Sequence, residues 1–219
     1  YWRRCTFCDT SLPYIARYDP VRAPVLADRM HAVAAQTGRD GFHFTDEAAP
    51  PSLLLGLALE LLRRERAYHF WGNIRFERYF TPDRCRVLAA AGMVAVSGGI
   101  EVADDAVLAA IDKGVSIAQL VAVLDAFADA GILVHGYLMY GFPGQTAQQT
   151  VDSLAIVRRL LATGLLHSGF FHRFTVTAHA PVGRDPARFG VRITGPPRGG
   201  FAWNNLTHEE PGGAPHAAL

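Results

Sequence analysis

Leu133-Val134-His135-Gly136-Tyr137-Leu138-Met139-Tyr140-Gly141-Phe142-Pro143-Gly144-Gln145-Thr146 holds a strand, its end and the start of a helix in one run. Leu133 to Met139 is strand-like, and the Gly141-Phe142-Pro143-Gly144 turn breaks it. Thr146 then stands where a hydroxyl can cap a helix, and Ala147 to Thr163 carries apolar residues at three- and four-residue spacing.

The same alternation runs upstream. Helical periodicity marks Val25 to Thr37, Pro51 to Arg66, Pro82 to Ala91, Asp104 to Ile111 and Ser116 to Gly131. Strand-like runs lie between and after them, at Gly41 to Thr45, Tyr68 to Ile74, Met93 to Val96 and Phe170 to Val176. Strands separated by helices imply parallel β/α units with right-handed crossovers. Five such strands, with one more expected before the first helix, predict an α/β fold: a partial (β/α)6-type, TIM-like barrel of parallel strands.

In such a barrel the chemistry gathers at the carboxyl ends of the strands. Asp46 and Glu47 follow one strand, Asn73 and Arg75 close the next, and Ser97, Gly98, Gly99 and Glu101 follow the third. Gly141, Pro143 and Gly144 follow the fourth. All four clusters fall on one rim, which predicts a functional mouth there.

Composition narrows the classes. With 219 residues, half of them hydrophobic, the chain can bury one large core. A formal net charge of +1 argues against nucleic acid and against an acidic membrane surface. The apolar run Leu53 to Leu62 contains Glu60 and ends on Arg63, Arg64 and Arg66, too short and too charged to cross a bilayer. No secretory signal is visible, and three cysteines do not make a disulfide framework, so a cytoplasmic setting is expected. The first residue is Tyr1, with a metal-type motif five residues in, so an upstream part is expected to be missing.

That motif is Cys5-Thr6-Phe7-Cys8. Two thiols at this spacing converge on one centre, and zinc, a redox disulfide and an iron-sulfur cluster all use it. A zinc knuckle needs two further ligands, and no nearby C-x-x-C or histidine pair supplies them. Cys85, on the amphipathic segment after Pro82, reads as a small core residue.

Taken in order, these pieces resemble the radical S-adenosylmethionine superfamily over roughly residues 1 to 180. Its signature ends in C-x-aromatic-C, matched by Cys5, Phe7 and Cys8. Phe44-Thr45-Asp46-Glu47 lies where the family carries an acidic motif, and Gly98-Gly99-Ile100-Glu101 is similar to its Gly-x-Glu segment. The Gly141 to Thr146 turn resembles G-x-P-G-E-T, with Gln145 in place of Glu. One departure stands out: at the common spacing a first cysteine would occupy position 1, where Tyr1 stands. Tyr-Trp-x-x-Cys-x-Phe-Cys also resembles subgroups with a wider gap, many of them cobalamin-associated, in which that Cys precedes Tyr1.

The resemblance implies Cys5 and Cys8 as ligands of a [4Fe-4S] cluster whose open iron is chelated by S-adenosylmethionine, cleaved on reduction to a 5'-deoxyadenosyl radical. It implies Phe7 beside the adenine, Asp46 or Glu47 on the methionine ammonium, and Glu101 or Arg75 on the ribose or carboxylate. Tyr140, Gly141 and Pro143 would line the adenine pocket. It also implies a small-molecule or peptide substrate, a reductant such as flavodoxin or ferredoxin, and cobalamin bound by an upstream domain for methyl transfer or peptide modification. Lacking the upstream ligand, these residues alone are expected to hold a cluster poorly and to be inactive.

Structural readings stand beside these. Asp46 can cap the helix at Pro51 with Glu47 in its first turn, Glu101 can pair with a neighbouring Arg, and Phe7 can be a loop-packing aromatic. His43, His69, His135, His172 and His179 flank or occupy strands, and His172, Thr177 and His179 could touch substrate by position alone. Two rival functions are a noncatalytic metal- or cluster-binding scaffold and a metal-dependent hydrolase using Asp46, Glu47 and the histidines. Residues 1–190 are read as the core. After Val191 the chain turns Gly- and Pro-rich, so 191–219 is expected to be a loosely packed extension, with Phe201 to Asn205 able to fold back over the barrel.

Overall fold

The computed structural model describes residues 5–9, 17, 19–195 and 204–213. Helix α1 (Ala23–Thr37) opens on Pro24 and ends at Gly38 in the left-handed conformation, leading into β1 (Gly41–Phe44). Then follow α2 (Pro51–Arg63), β2 (His69–Ile74), α3 (Pro82–Ala90), β3 (Met93–Glu101), α4 (Asp105–Ala110), α5 (Ile117–Asp129), β4 (Leu133–Tyr140), α6 (Ala147–Ala162) and β5 (Ser168–Arg173). Caps set the helix starts: Asp104 accepts from Val107 N–H, Ser116 from Gln119 N–H, and Thr146 and Gln149 form a reciprocal capping box.

The five strands pair in sequence order and every pairing is parallel. Consecutive order with crossovers of one hand puts the helices on one face of the sheet, as in a barrel wall. Alternation follows from this. In β2, Phe70, Gly72 and Ile74 are buried and His69 and Trp71 are exposed, with Asn73 on their side of the strand. The helix-side core holds Leu57 and Leu61 of α2, Leu88 of α3, Leu124 and Phe127 of α5, and Phe70. This is the expected partial barrel; the strand expected before α1 is not among the described residues. Nor is any described helix long and apolar enough to cross a membrane.

Two expectations are corrected. Ser97, Gly98 and Gly99 lie inside β3, and Glu101 is its last residue, so the strand does not stop at Val96. The pair of glycines is a packing requirement there: a Cβ on Gly98 would meet the Ile74 carbonyl at 2.8 Å and the Phe76 ring at 3.0 Å. Second, the strand predicted for Phe170 to Val176 ends at Arg173, where Phe174 turns into the core and donates its N–H to the Tyr140 carbonyl. A separate short strand, β6 (Val176–Thr177), follows.

Part of the extension carries short strands. After α7 (Pro181–Arg184), a 3-10 turn (Pro186–Phe189) and β7 (Arg192–Ile193), the chain returns as β8 (Asn205–Leu206) and β9 (His208–Glu209). β8 pairs antiparallel with β6 and β9 with β7, and Leu206 enters the core. One buried apolar side chain and backbone pairing hold this segment despite its turn-rich approach. Phe201 to Trp203 and 214–219 lie outside the described residues.

Gly92, entering β3, has φ +99, and a Cβ there would stand 1.7 Å from the Tyr68 carbonyl oxygen. Gly92→Ala should therefore cost at least about 2 kcal/mol, read as a lower urea midpoint. A midpoint equal to that of the unsubstituted protein would contradict this packing.

Candidate metal centre

The cysteine turn is built by backbone. Cys8 N–H donates to the Cys5 carbonyl (3.1 Å), which closes a turn that brings both thiols to one side. Thr6 N–H donates to the Ile111 carbonyl at the end of α4, and the Thr6 carbonyl accepts from Val182 N–H in α7. Asn204 donates through Nδ2 to the Asp9 carboxylate, so the far end of the chain also holds the turn. Cys5 is 3% exposed and Cys8 half-buried.

Two cations face this turn. Arg75, just beyond β2, donates from Nη1 to Cys5 Sγ (3.5 Å), from Nε to Glu77 (3.0 Å), and from Nη2 to the Lys113 carbonyl. Lys113 is buried, and its Nζ lies 2.5 Å from Glu101 Oε1. Glu101 reaches it because β3 bulges at Gly99/Glu101 and Glu101 itself adopts φ +62, a left-handed conformation unusual outside glycine. Gly99 leaves the room: its Cβ would overlap Glu101 Oε1 at 1.9 Å.

These contacts split the thiols. The hydrogen bond from Cys8, reinforced by Lys113 and Arg75 against the cost of burial, lowers Cys5 from the ordinary thiol range to about 6. Cys8 moves the other way, because it donates to Cys5 and is itself buried. Burial alone would lower the Arg75 guanidinium, but the Cys5 sulfur and Glu77 outweigh it and leave it raised.

The other predicted residues lie at the same end of the sheet. Asp46 and Glu47 are exposed on the loop after β1, and the residue preceding α2 is Pro50, so Asp46 is not its cap. That loop is stapled to β2: Asn73 Nδ2 donates to the Asp46 carbonyl (3.2 Å), and Ala49 N–H to the Asn73 carbonyl (2.8 Å). Asn73 Oδ1 accepts from Ser97 (2.5 Å) and from the Tyr137 hydroxyl (3.2 Å), linking β2, β3 and β4.

After β4, Gly141, Phe142 and Pro143 are buried and Tyr140 is half-buried. Gln145 Oε1 accepts from Gly141 N–H (2.9 Å) and Phe142 N–H (3.2 Å), while its Nε2 is buried without a partner. Phe7 is half-buried against the core.

Glu101 pairs with Lys113 and not with an arginine. Lys113 was not singled out from sequence, although it is the only lysine in the chain. That scarcity was the available signal. Cys85 is 0% exposed in α3, its thiol pushed up to about 12 by burial, as expected of a core residue.

The sheet's inner side carries His43 stacked on Trp71 (3.8 Å), His135 edge-on to Tyr137 (5.2 Å), and Phe170 against His172 (4.5 Å). Among the described residues no three metal-ligating side chains converge, so Asp46, Glu47 and the histidines do not assemble the site a hydrolase reading needs.

An iron-sulfur cluster fits what is present in two respects. The thiols converge at the strand-end rim, and buried cations suit an anionic cluster. The further thiolate has no counterpart among the described residues.

The Radical SAM superfamily profile matches residues 2–157. The chain belongs to that superfamily. It is 30% identical over 167 residues to the uncharacterized protein y4hJ of Sinorhizobium fredii (strain NBRC 101917 / NGR234), covering 71% of this chain and 64% of that protein. Its fold is similar to that of TsrM from Kitasatospora setae, a radical S-adenosylmethionine methyltransferase solved with cobalamin and a [4Fe-4S] cluster. There the TM-score is 0.73 at 19% identity, over 89% of this chain and 40% of that one. The cobalamin-dependent S-adenosylmethionine radical enzyme OxsB superposes with TM-score 0.70 at 13% identity, over 93% and 36%. Coproporphyrinogen III oxidase (HemN) of Escherichia coli gives 0.55 at 17%, over 83% and 44%. The chain thus spans less than two thirds of the length of these relatives.

In metal-free protein, thiolate ultraviolet absorbance should rise with pH through about 6, from Cys5. In Cys8→Ala the midpoint should move up toward the ordinary thiol value, because the donor that holds the thiolate is gone. An unchanged midpoint would contradict the paired turn. Separately, Gln145→Ala should cost about 1–3 kcal/mol by orphaning two buried N–H groups. Gln145→Glu should cost less, since a carboxylate accepts both and removes the orphan amide. Thermal melts of the two variants check the ranking.

Proposed function

We propose that this chain is the core of a longer enzyme that binds a [4Fe-4S] cluster through Cys5, Cys8 and an upstream thiolate, and cleaves S-adenosylmethionine there. The observation that carries the reading is the buried thiol turn on the strand-end rim, with Arg75 donating to Cys5. When bound, the cluster supplies the electron that breaks a carbon–sulfur bond of the sulfonium and so starts radical chemistry.

The chain's own residues bind and orient. Asp46 and Glu47 are exposed carboxylates on the rim, available to a substrate ammonium. The Tyr140–Pro143 turn, fixed by Gln145, presents a rigid wall suited to an adenine ring. Glu101 and Arg75 already hold partners, so a role on the ribose or carboxylate requires Lys113 or Glu77 to share them. The inner aromatic and histidine side chains line the space a substrate would enter, where water exclusion protects a radical.

The likeness to TsrM and OxsB supports a cobalamin-dependent reaction, with methyl transfer as the favoured outcome on a small-molecule or peptide substrate. A one-electron donor of the flavodoxin or ferredoxin class would complete the cycle.

Anaerobic reconstitution of the full-length protein, reduced and supplied with S-adenosylmethionine, should release 5'-deoxyadenosine. Cys5→Ala and Cys8→Ala should lose iron, sulfide and product to the level of an enzyme-free control. Full cluster content without product would favour a noncatalytic scaffold. Activity that survives without iron or reductant would favour a hydrolase.

A further inference from the structure

Arg75 is bound on three sides, and each contact fixes a different element. Its Nε is held by Glu77 (3.0 Å), its Nη2 donates to the backbone carbonyl of Lys113, and its Nη1 is left pointing at Cys5 Sγ (3.5 Å). The side chain is 12% exposed, so solvent and salt screen it weakly. Arginine's planar fork is what permits this: one rigid group spans a carboxylate, a carbonyl and a sulfur at once. Lys113 also faces the sulfur, but its ammonium is hydrogen-bonded to Glu101 at 2.5 Å, so it acts on Cys5 through charge and not through a directed bond.

We infer that Arg75 is a positioning residue that fixes the Cys5 sulfur and, through its N–H···S hydrogen bond, raises the reduction potential of the cluster this sulfur ligates. The inference rests on the cluster assignment above. Reduction adds one negative charge to the cluster and its thiolates, so a buried N–H donor on a ligating sulfur stabilises the reduced form more than the oxidised one. Among the described residues each cation is paired, Arg75 with Glu77 and Lys113 with Glu101. What Arg75 adds beyond charge is the directed bond to sulfur.

The test is a redox titration, with dithionite as electron source, of the reconstituted full-length protein carrying Arg75, R75M or R75K, followed by the reduced cluster's paramagnetic signal. At the potential that half-reduces the unsubstituted protein, the reduced-to-oxidised ratio in R75M should fall about threefold or more. R75K keeps the charge but not the fork, and should fall between the two. R78Q is the charge control: Arg78 is exposed and donates to Gln119 (2.8 Å), and its loss should leave the ratio unchanged.

Full iron and sulfide content with an unshifted ratio in R75M overturns the inference and leaves the cluster reading intact. So does a shift of equal size in R78Q. Absence of a cluster from the unsubstituted protein overturns both. If neither R75M nor R75K loads a cluster while both keep the unsubstituted melting temperature, the role is structural and the redox assignment falls.

Discussion

Parallel strands wound always in the same direction force every strand-to-helix connection onto one rim of the sheet, and the chemistry of this molecule depends on that constraint. It sets Arg75 beyond β2, Glu101 at the end of β3 and the Gly141–Pro143 turn beyond β4 at the same level. The cysteine turn belongs to none of these strands. Among the described residues it is tied to them by hydrogen bonds to the end of α4 and to α7.

Around the thiols, polarity is arranged in opposed pairs. Among the described residues, Lys113 with Glu101 and Arg75 with Glu77 set opposite charges against each other in a poorly hydrated space. Removing water from a lone charge is costly, and pairing is how a protein keeps such groups ionised. What remains directional is the hydrogen bonding to sulfur, which separates two chemically identical side chains three positions apart.

The β/α alternation was legible because each unit carries strong punctuation: Pro24, Pro51 and Pro82 at helix starts, Gly38 at a helix end, and Thr146 as a cap. The end of β3 was not. Gly98-Gly99 reads locally as a breaker, yet the strand continues because Phe76 and the Ile74 carbonyl crowd the space a side chain would fill. Asp46 had the chemistry of a cap, but the helix begins five residues later. The rim was readable for Cys5, Cys8, Arg75 and Glu101, whereas Lys113 depends on a bulge that no local pattern announces. Residues 204–213 were hidden behind Pro- and Gly-rich sequence, since one apolar anchor, Leu206, leaves no periodicity to detect.

The bond between Asn204 and Asp9 joins residues 195 positions apart. Such distant closure is among the last contacts a chain can make, because the intervening loop must be ordered first. During synthesis the thiols leave the ribosome before Asn204 does, so the brace that completes their surroundings does not exist until those 195 further positions have been added.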